Sequence, residues 1–195
     1  MRLAPLPPDD LDPPLRRLHN DMAASVAEFL HGFVSKRADG ALVGPFPPML
    51  QFPLWGAPAW AFTKSLMEHS TLPRPAHEVA ILVVGAAYGS RYELYAHERV
   101  ADRAGLSPAK VAAVSAGERP DDLDPEEAVA YDVAAALSRG RGPLPEPTYR
   151  RALEVLGDQQ TAELVYLVGG YCLVSVLLNA YDMPVPSGDE GQPEG

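Results

Sequence analysis

The sequence predicts an all-α fold of six to eight helices. Three observations lead there. Apolar residues recur at helical spacing in successive segments bounded by Pro and Gly. Helix starts are written out twice, as Ser107-Pro108 and as Asp124-Pro125-Glu126-Glu127. Nowhere do β-branched and polar residues alternate between turn signals, as a half-buried strand requires. The apolar runs 79–87 and 164–178 are strand-like by content alone, but their length and their Ala and Leu favour helix.

Taken in order, residues 1–13 are Pro-rich and are expected to be loosely ordered. Residues 14–33 read as a helix, with Leu18, Met22, Val26 and Phe33 at roughly helical spacing. Residues 34–53 lack periodicity, and Pro45, Pro47, Pro48 and Pro53 bias them toward extended or turn geometry. Phe46, Met49, Leu50 and Phe52 make this piece too apolar for a linker, so it is expected to form the wall of a pocket. Residues 54–70 read as a helix with Pro58 in its first turn. Residues 74–106 read as a helical hairpin turning at Gly89-Ser90, its first helix apolar nearly all round. Further helices are expected from Pro108 to Gly117, from Pro125 to about Arg139, from Tyr149 to Leu156 and from Gln159 to Tyr181. The chain divides into an N-terminal extension with one helix (1–43), a helical domain (44–186) and a disordered tail (187–195).

Composition narrows the function. With 16 basic against 26 acidic residues and no basic patch, neither nucleic acid nor an anionic membrane is an expected partner. The single Cys172 excludes an internal disulfide and any multi-cysteine metal site. The first residues have no apolar core of a signal peptide, and a cytoplasmic location is expected. Residues 164–181 carry no charge over 18 positions, which touches the length of a membrane span. Their flanks, Glu163 and Asp182, lack the Lys or Arg anchors of a span, so this is read as a buried central helix. Two such apolar helices in so short a chain point to a homo-oligomer.

Three ionisable residues stand out in the hairpin: Glu78 near the start of its first helix, and Glu93 and His97 on its second. Glu93 and His97 are four apart and share a helix face. In an antiparallel hairpin Glu78 lies about one helical turn in level from His97, at ~1.5 Å rise per residue. The ordinary reading is a solvated i,i+4 pair and a first-turn glutamate favoured by the helix dipole. The functional reading is an acid–base site against an apolar wall that shifts pKa values. A metal site is a third, since two carboxylates and an imidazole can hold iron, manganese or zinc. Tyr88, Tyr92, Tyr95 and Tyr171 are core or interface aromatics, of which one or two donate to a ligand. Asn179, deep in an apolar helix, needs a partner, either a neighbouring backbone or a pocket. His69 and His77 lie at helix ends and are read as surface residues.

The stretch HEVAILVVGAAYGSRYELYAHERVADRAGL resembles the carboxymuconolactone decarboxylase family, which also contains the alkyl hydroperoxidase D peroxidases. The shared pattern is a glutamate opening an apolar helix (Glu78), a short turn, Glu93-x-x-x-His97, and the ending from Ala101 to Leu106. GPFPPMLQFP upstream and LVSVLLNAYDMPVP downstream resemble longer members, so the likeness touches most of 44–186. It implies an AhpD-like helical bundle assembled into trimers or hexamers, with the site near the hairpin. The peroxidase branch carries Cys-x-x-Cys where this chain has Ser90 and Glu93, so a thiol mechanism is not available to it.

The resemblance implies a cofactor-free decarboxylase or related lyase or isomerase, acting on a small carboxylated lactone-like or cyclic unsaturated compound. In the family reaction, carboxyl loss leaves a dienolate that must be protonated. His97 is the expected proton donor and acceptor, with Glu93 orienting the imidazole and Glu78 completing the relay. Tyr92, Ser90, Phe52 and Asn179 are the expected substrate-binding residues. Arg91 and Arg99 are the nearest cations by sequence for a substrate carboxylate. The alternatives are a metal-dependent enzyme using Glu78, Glu93 and His97 as ligands, and a non-catalytic oligomer that has lost the redox cysteines.

Overall fold

The computed structural model describes residues 1–140 and 142–187. The described residues form eight α-helices and no strand: α1 (Pro13–Phe29), α2 (Phe46–Gln51), α3 (Pro53–Glu68), α4 (Arg74–Tyr88), α5 (Arg91–Arg103), α6 (Pro108–Ser115), α7 (Pro125–Arg139) and α8 (Glu146–Ala180). The disordered tail expected at 187–195 lies outside the described residues from 188 onward.

α4 is the centre. Residues 76–85 are all buried, because α5, α6, α7 and α8 pack around it. A helix this apolar is stable only when covered on every side, and here one chain supplies the cover. Its C-terminus is set by Gly89, whose φ of 59° is the left-handed conformation that caps a helix. Ser90 N then donates to Gly85 O at 2.9 Å, and α5 runs back antiparallel to α4.

The written-out caps work as the sequence predicts. Ser107 accepts from Lys110 N at 3.2 Å, and Glu127 Oε2 accepts from Asp124 N at 3.0 Å. The two helices expected at the C-terminus form one element bent at Gly157, where φ 73° and ψ 177° leave the helical region. α8 is long and apolar enough to cross a membrane, yet half of that apolar window is buried against the rest of the chain. Val165, Tyr166, Leu173 and Val176 remain exposed along its outer face.

Three local expectations are corrected. Residues 1–13 are tied down: Arg2 N donates to Tyr181 O at 2.9 Å, and Gln51 Nε2 donates to Ala4 O at 2.7 Å. Residues 46–51 form a short helix, since Pro47 and Pro48 occupy its first turn, where the missing N–H costs nothing. α3 begins at Pro53, which leaves Pro58 inside the helix rather than in its first turn.

The core has two lobes. One joins α4, α6, α7 and α8. The other joins Met22, Val26 and Phe33 of the N-terminal extension to α2, α3, α5 and the end of α8. The extension therefore packs as part of the body. Gly44 sits in this second lobe with φ 75°, and a Cβ there would lie 2.3 Å from the Tyr92 ring. Gly44→Ala combines a strained backbone with that clash and is expected to cost about 2 kcal/mol or more. At roughly 2–4 °C per kcal/mol for a chain this long, calorimetry should show a Tm at least ~4 °C lower.

Candidate acid–base site

The site lies where the two lobes meet, between α4, α5 and α8. Glu78 is fully buried and accepts from two imidazoles: His97 Nδ1 at 2.8 Å on one oxygen and His77 Nδ1 at 3.3 Å on the other. Burial drives the Glu78 carboxyl up, but the charge of His97 and hydrogen bonds from both imidazoles outweigh it and hold it at about 2. The carboxylate is thus kept charged in an apolar helix by two partners. The commitment of His97 Nδ1 leaves Nε2 as the exchangeable nitrogen. The ring stands edge-on to Tyr171 of α8, with centroids 5.1 Å apart.

Glu93 behaves in the opposite way. It is 2 % exposed, its Oε2 accepts from Ser175 Oγ at 2.8 Å, and its Oε1 has no partner. Burial pushes its carboxyl well above the usual range, against a smaller opposing effect of the Ser175 hydrogen bond. Burial thus favours the protonated form of Glu93, one turn from His97. The expectation that Glu93 orients the imidazole is corrected: Glu78 does so, because it reaches Nδ1 across the hairpin while Glu93 turns to α8.

Both Glu93 and His97 line a narrow cavity of about 60 Å³. Its walls are otherwise almost wholly apolar, with Phe33, Phe46, Met49, Trp60, Tyr171 and Val174 among them. Trp60 is held in place by its indole N–H, which donates to Asp21 of α1 at 2.6 Å. No Lys or Arg is among the lining residues. Arg91 instead pairs with Asp182 at 2.9 Å, and the Arg99 guanidinium sits 4.1 Å from the centre of the Tyr95 ring.

The four expected substrate-binding residues are only partly here. Tyr92 lines the cavity with its ring, but its hydroxyl donates to Val34 O at 2.8 Å and is not free for a ligand. Ser90 is fully buried with its Oγ unpartnered and does not line the cavity. Phe52 is exposed and stacks on Tyr181, beside a different groove. Asn179 donates to Tyr88 O at 2.8 Å, the backbone option of its two.

His77 and Ser175 are the residues missed by sequence. His77 is 2 % exposed rather than a surface residue, with Nε2 buried and unpartnered. Its direct adjacency to Glu78 was the available signal. Ser175 is four residues after Tyr171, so both fall on the α8 face turned to the hairpin. Glu78, Glu93 and His97 do not form a ligand set: among the described residues no three His, Cys, Asp or Glu side chains are grouped to hold a metal ion.

The two carboxyls predict opposite pH dependences. Glu78 ionises at about 2 when folded and at the ordinary 4.5 when unfolded. Its contribution is complete above pH 4.5 and is lost as pH falls toward 2. Glu93 holds its proton to higher pH when folded than the ordinary 4.5 at which it ionises when unfolded, so it lowers stability as pH rises above 4.5. Glu93→Gln removes that loss. Its stability should match wild type near pH 4.5 and exceed it at pH 7–8 by roughly 0.5–2 kcal/mol, read as a higher Tm in thermal melts across pH. A Tm deficit that grows with pH would contradict the neutral acid.

The model of the carboxymuconolactone decarboxylase family matches residues 53–136, which include α3, the whole hairpin and the three ionisable residues. Solved structures share the fold. An uncharacterized peroxidase-related protein from Ralstonia eutropha JMP134, an alkylhydroperoxidase AhpD core, superposes with a TM-score of 0.75 at 15% identity, over 95% of this chain and 92% of that one. The debrominase Bmp8, as a variant in complex with 2,3,4-tribromopyrrole, gives 0.73 at 16% identity over 96% and 92%. Its apo form gives 0.71 at 16% identity over 95% and 92%. A search of curated proteins finds no match.

Proposed function

We propose, for a chain whose residues 53–136 match the model of the carboxymuconolactone decarboxylase family, an acid–base enzyme acting on a small cyclic or unsaturated compound. One observation carries this reading. A single apolar cavity holds an imidazole oriented by a charged carboxylate and a second carboxyl kept neutral. Two titratable groups driven apart by their surroundings are the usual basis for assigning acid and base.

In this mechanism His97 Nε2 exchanges the proton at the reacting carbon. Glu78 holds Nδ1 and fixes the ring. The Glu93 carboxylic acid donates a hydrogen bond to the substrate carbonyl oxygen as negative charge develops there. A donor in a dry cavity is worth more than the same donor in water. In the decarboxylation form, the bond from ring carbon to carboxylate breaks, CO2 leaves, and the electron pair spreads into the ring as a dienolate. The imidazolium then returns a proton to carbon and is itself reprotonated from water. The cation-free wall favours a reacting group that is neutral, or becomes so, and this supports isomerisation on a neutral lactone by the same residues. The non-catalytic alternative calls for a closed Glu/His cluster with no cavity, and a cavity beside His97 argues against it.

The test needs no knowledge of the natural substrate. In D2O, carbon-bound hydrogens next to the carbonyl of small unsaturated lactones should exchange faster with the protein than without it, followed by NMR. Glu93→Gln keeps a hydrogen-bond donor and should slow that exchange by less than the roughly 10²–10³-fold that loss of the donor would cost, while the chain stays folded. Equal exchange in Glu93→Gln and in His97→Asn would overturn the assignment. His97→Asn also strips a partner from buried Glu78 and is expected to be less stable, by about 3–5 kcal/mol, so circular dichroism must accompany it.

We propose further that the chain works as a homo-oligomer, a trimer or hexamer. Trp55 is 75 % exposed, Leu54 74 % and Tyr166 63 %, too much large apolar surface to stay in water without cost. Light scattering should return a mass several times 20.9 kDa, and Tyr166→Lys should reduce it. A monomer would refute the assembly.

A further inference from the structure

A second cavity, of about 320 Å³, opens where the end of α1, the start of α4 and the end of α5 meet. It is lined by Phe29, His31, Arg74, Val100, Arg103 and Ala104. Two of its six lining residues are arginines, one is a histidine and none is acidic, in a chain of net charge -10. Elsewhere Arg37, Lys64, Arg91, Lys110, Arg119, Arg150 and Arg151 each lie within 4 Å of a carboxylate, while Arg2, Arg16, Arg99 and Arg139 donate to backbone carbonyls. Among the described residues Arg74 and Arg103 have no carboxylate within 4 Å; Arg74 has a 3.5 Å contact to Phe29 O.

Arg103 lies against the backbone of the segment that follows α1. Gly32 has φ 94°, and a Cβ there would lie 2.9 Å from the Arg103 guanidinium carbon. The guanidinium thus rests against a backbone that only glycine leaves open. Arg74 reaches the same 29–32 segment from the first turn of α4. Phe29 and Val100 supply apolar wall.

We propose that this cavity binds the phosphate of a small phosphate monoester with an apolar body. Two guanidiniums on separate helices present more donors than one carboxylate can accept, whereas a phosphate has three terminal oxygens to share between them. The apolar wall takes the organic part. The site is distinct from the acid–base cavity and does not depend on that reading. The two are close: Val100 follows His97 by one turn, and Leu30, next to Phe29, lines the other cavity.

Phenyl phosphate is the probe, titrated calorimetrically into the full chain at low salt. It should bind saturably, one per chain, and at least tenfold tighter than benzoate. Arg74→Ala and Arg103→Ala should each weaken it tenfold or more. Gly32→Ala, which leaves every charge in place but fills the seat of the guanidinium, should weaken it as well. Arg91→Ala removes one positive charge elsewhere and should change nothing. No saturable binding at millimolar phenyl phosphate, benzoate binding equally well, or an affinity indifferent to the Arg74→Ala/Arg103→Ala pair would each overturn the site.

Discussion

The structure depends on one buried charge. Glu78 sits in the most apolar helix of the chain, fully removed from water, and remains a carboxylate because two imidazoles meet it from different places in the sequence. An uncompensated charge there would cost several kcal/mol. The requirement for compensation ties α5 to α4 at the level of His97 and sets the hairpin's register. It also decides which nitrogen of His97 remains for chemistry. The same contact that offsets a folding cost therefore orients the imidazole.

Glu93 shows the complementary solution to burial. It has one serine hydroxyl and no cation, so burial favours its protonated form. Ser90 and Glu93 have the spacing of a capping box, with Ser90 at the N-cap and Glu93 three residues on. Neither side chain caps the helix. Glu93 turns to Ser175, and Ser90 Oγ is left buried without a partner. Local helix stability is given up for a carboxylic acid in an apolar cavity. Natural sequences break such local rules mostly where function or strain requires it.

Much of the fold was legible because helix ends are local. Gly89, Ser107-Pro108 and Asp124-Pro125 act through their own backbone geometry or lost N–H, and each stops or starts a helix where the pattern says, while Gly157 kinks α8 at the expected break. The errors came where distant chain decides. Pro45 to Pro48 look like helix breakers, yet two prolines in a first turn are harmless, and burial of Phe46, Met49 and Leu50 does the rest. Residues 1–13 look disordered by composition but are held by backbone bonds to the far end of the chain. Asn179 looked like a pocket residue because its partner, Tyr88 O, is 91 positions away.

The sequence by itself determined that the chain is helical, that a hairpin turns at Gly89, and that Glu78, Glu93 and His97 share it. Periodicity and caps carry that information, since both act within a few residues. Tertiary structure alone decided what those three residues are. Which carboxylate reaches the imidazole depends on the antiparallel register of α4 and α5. Which carboxyl keeps its proton depends on α8 placing Ser175, and no cation, beside it. Charge state follows from neighbours and burial, and neither is a property of spacing along the chain.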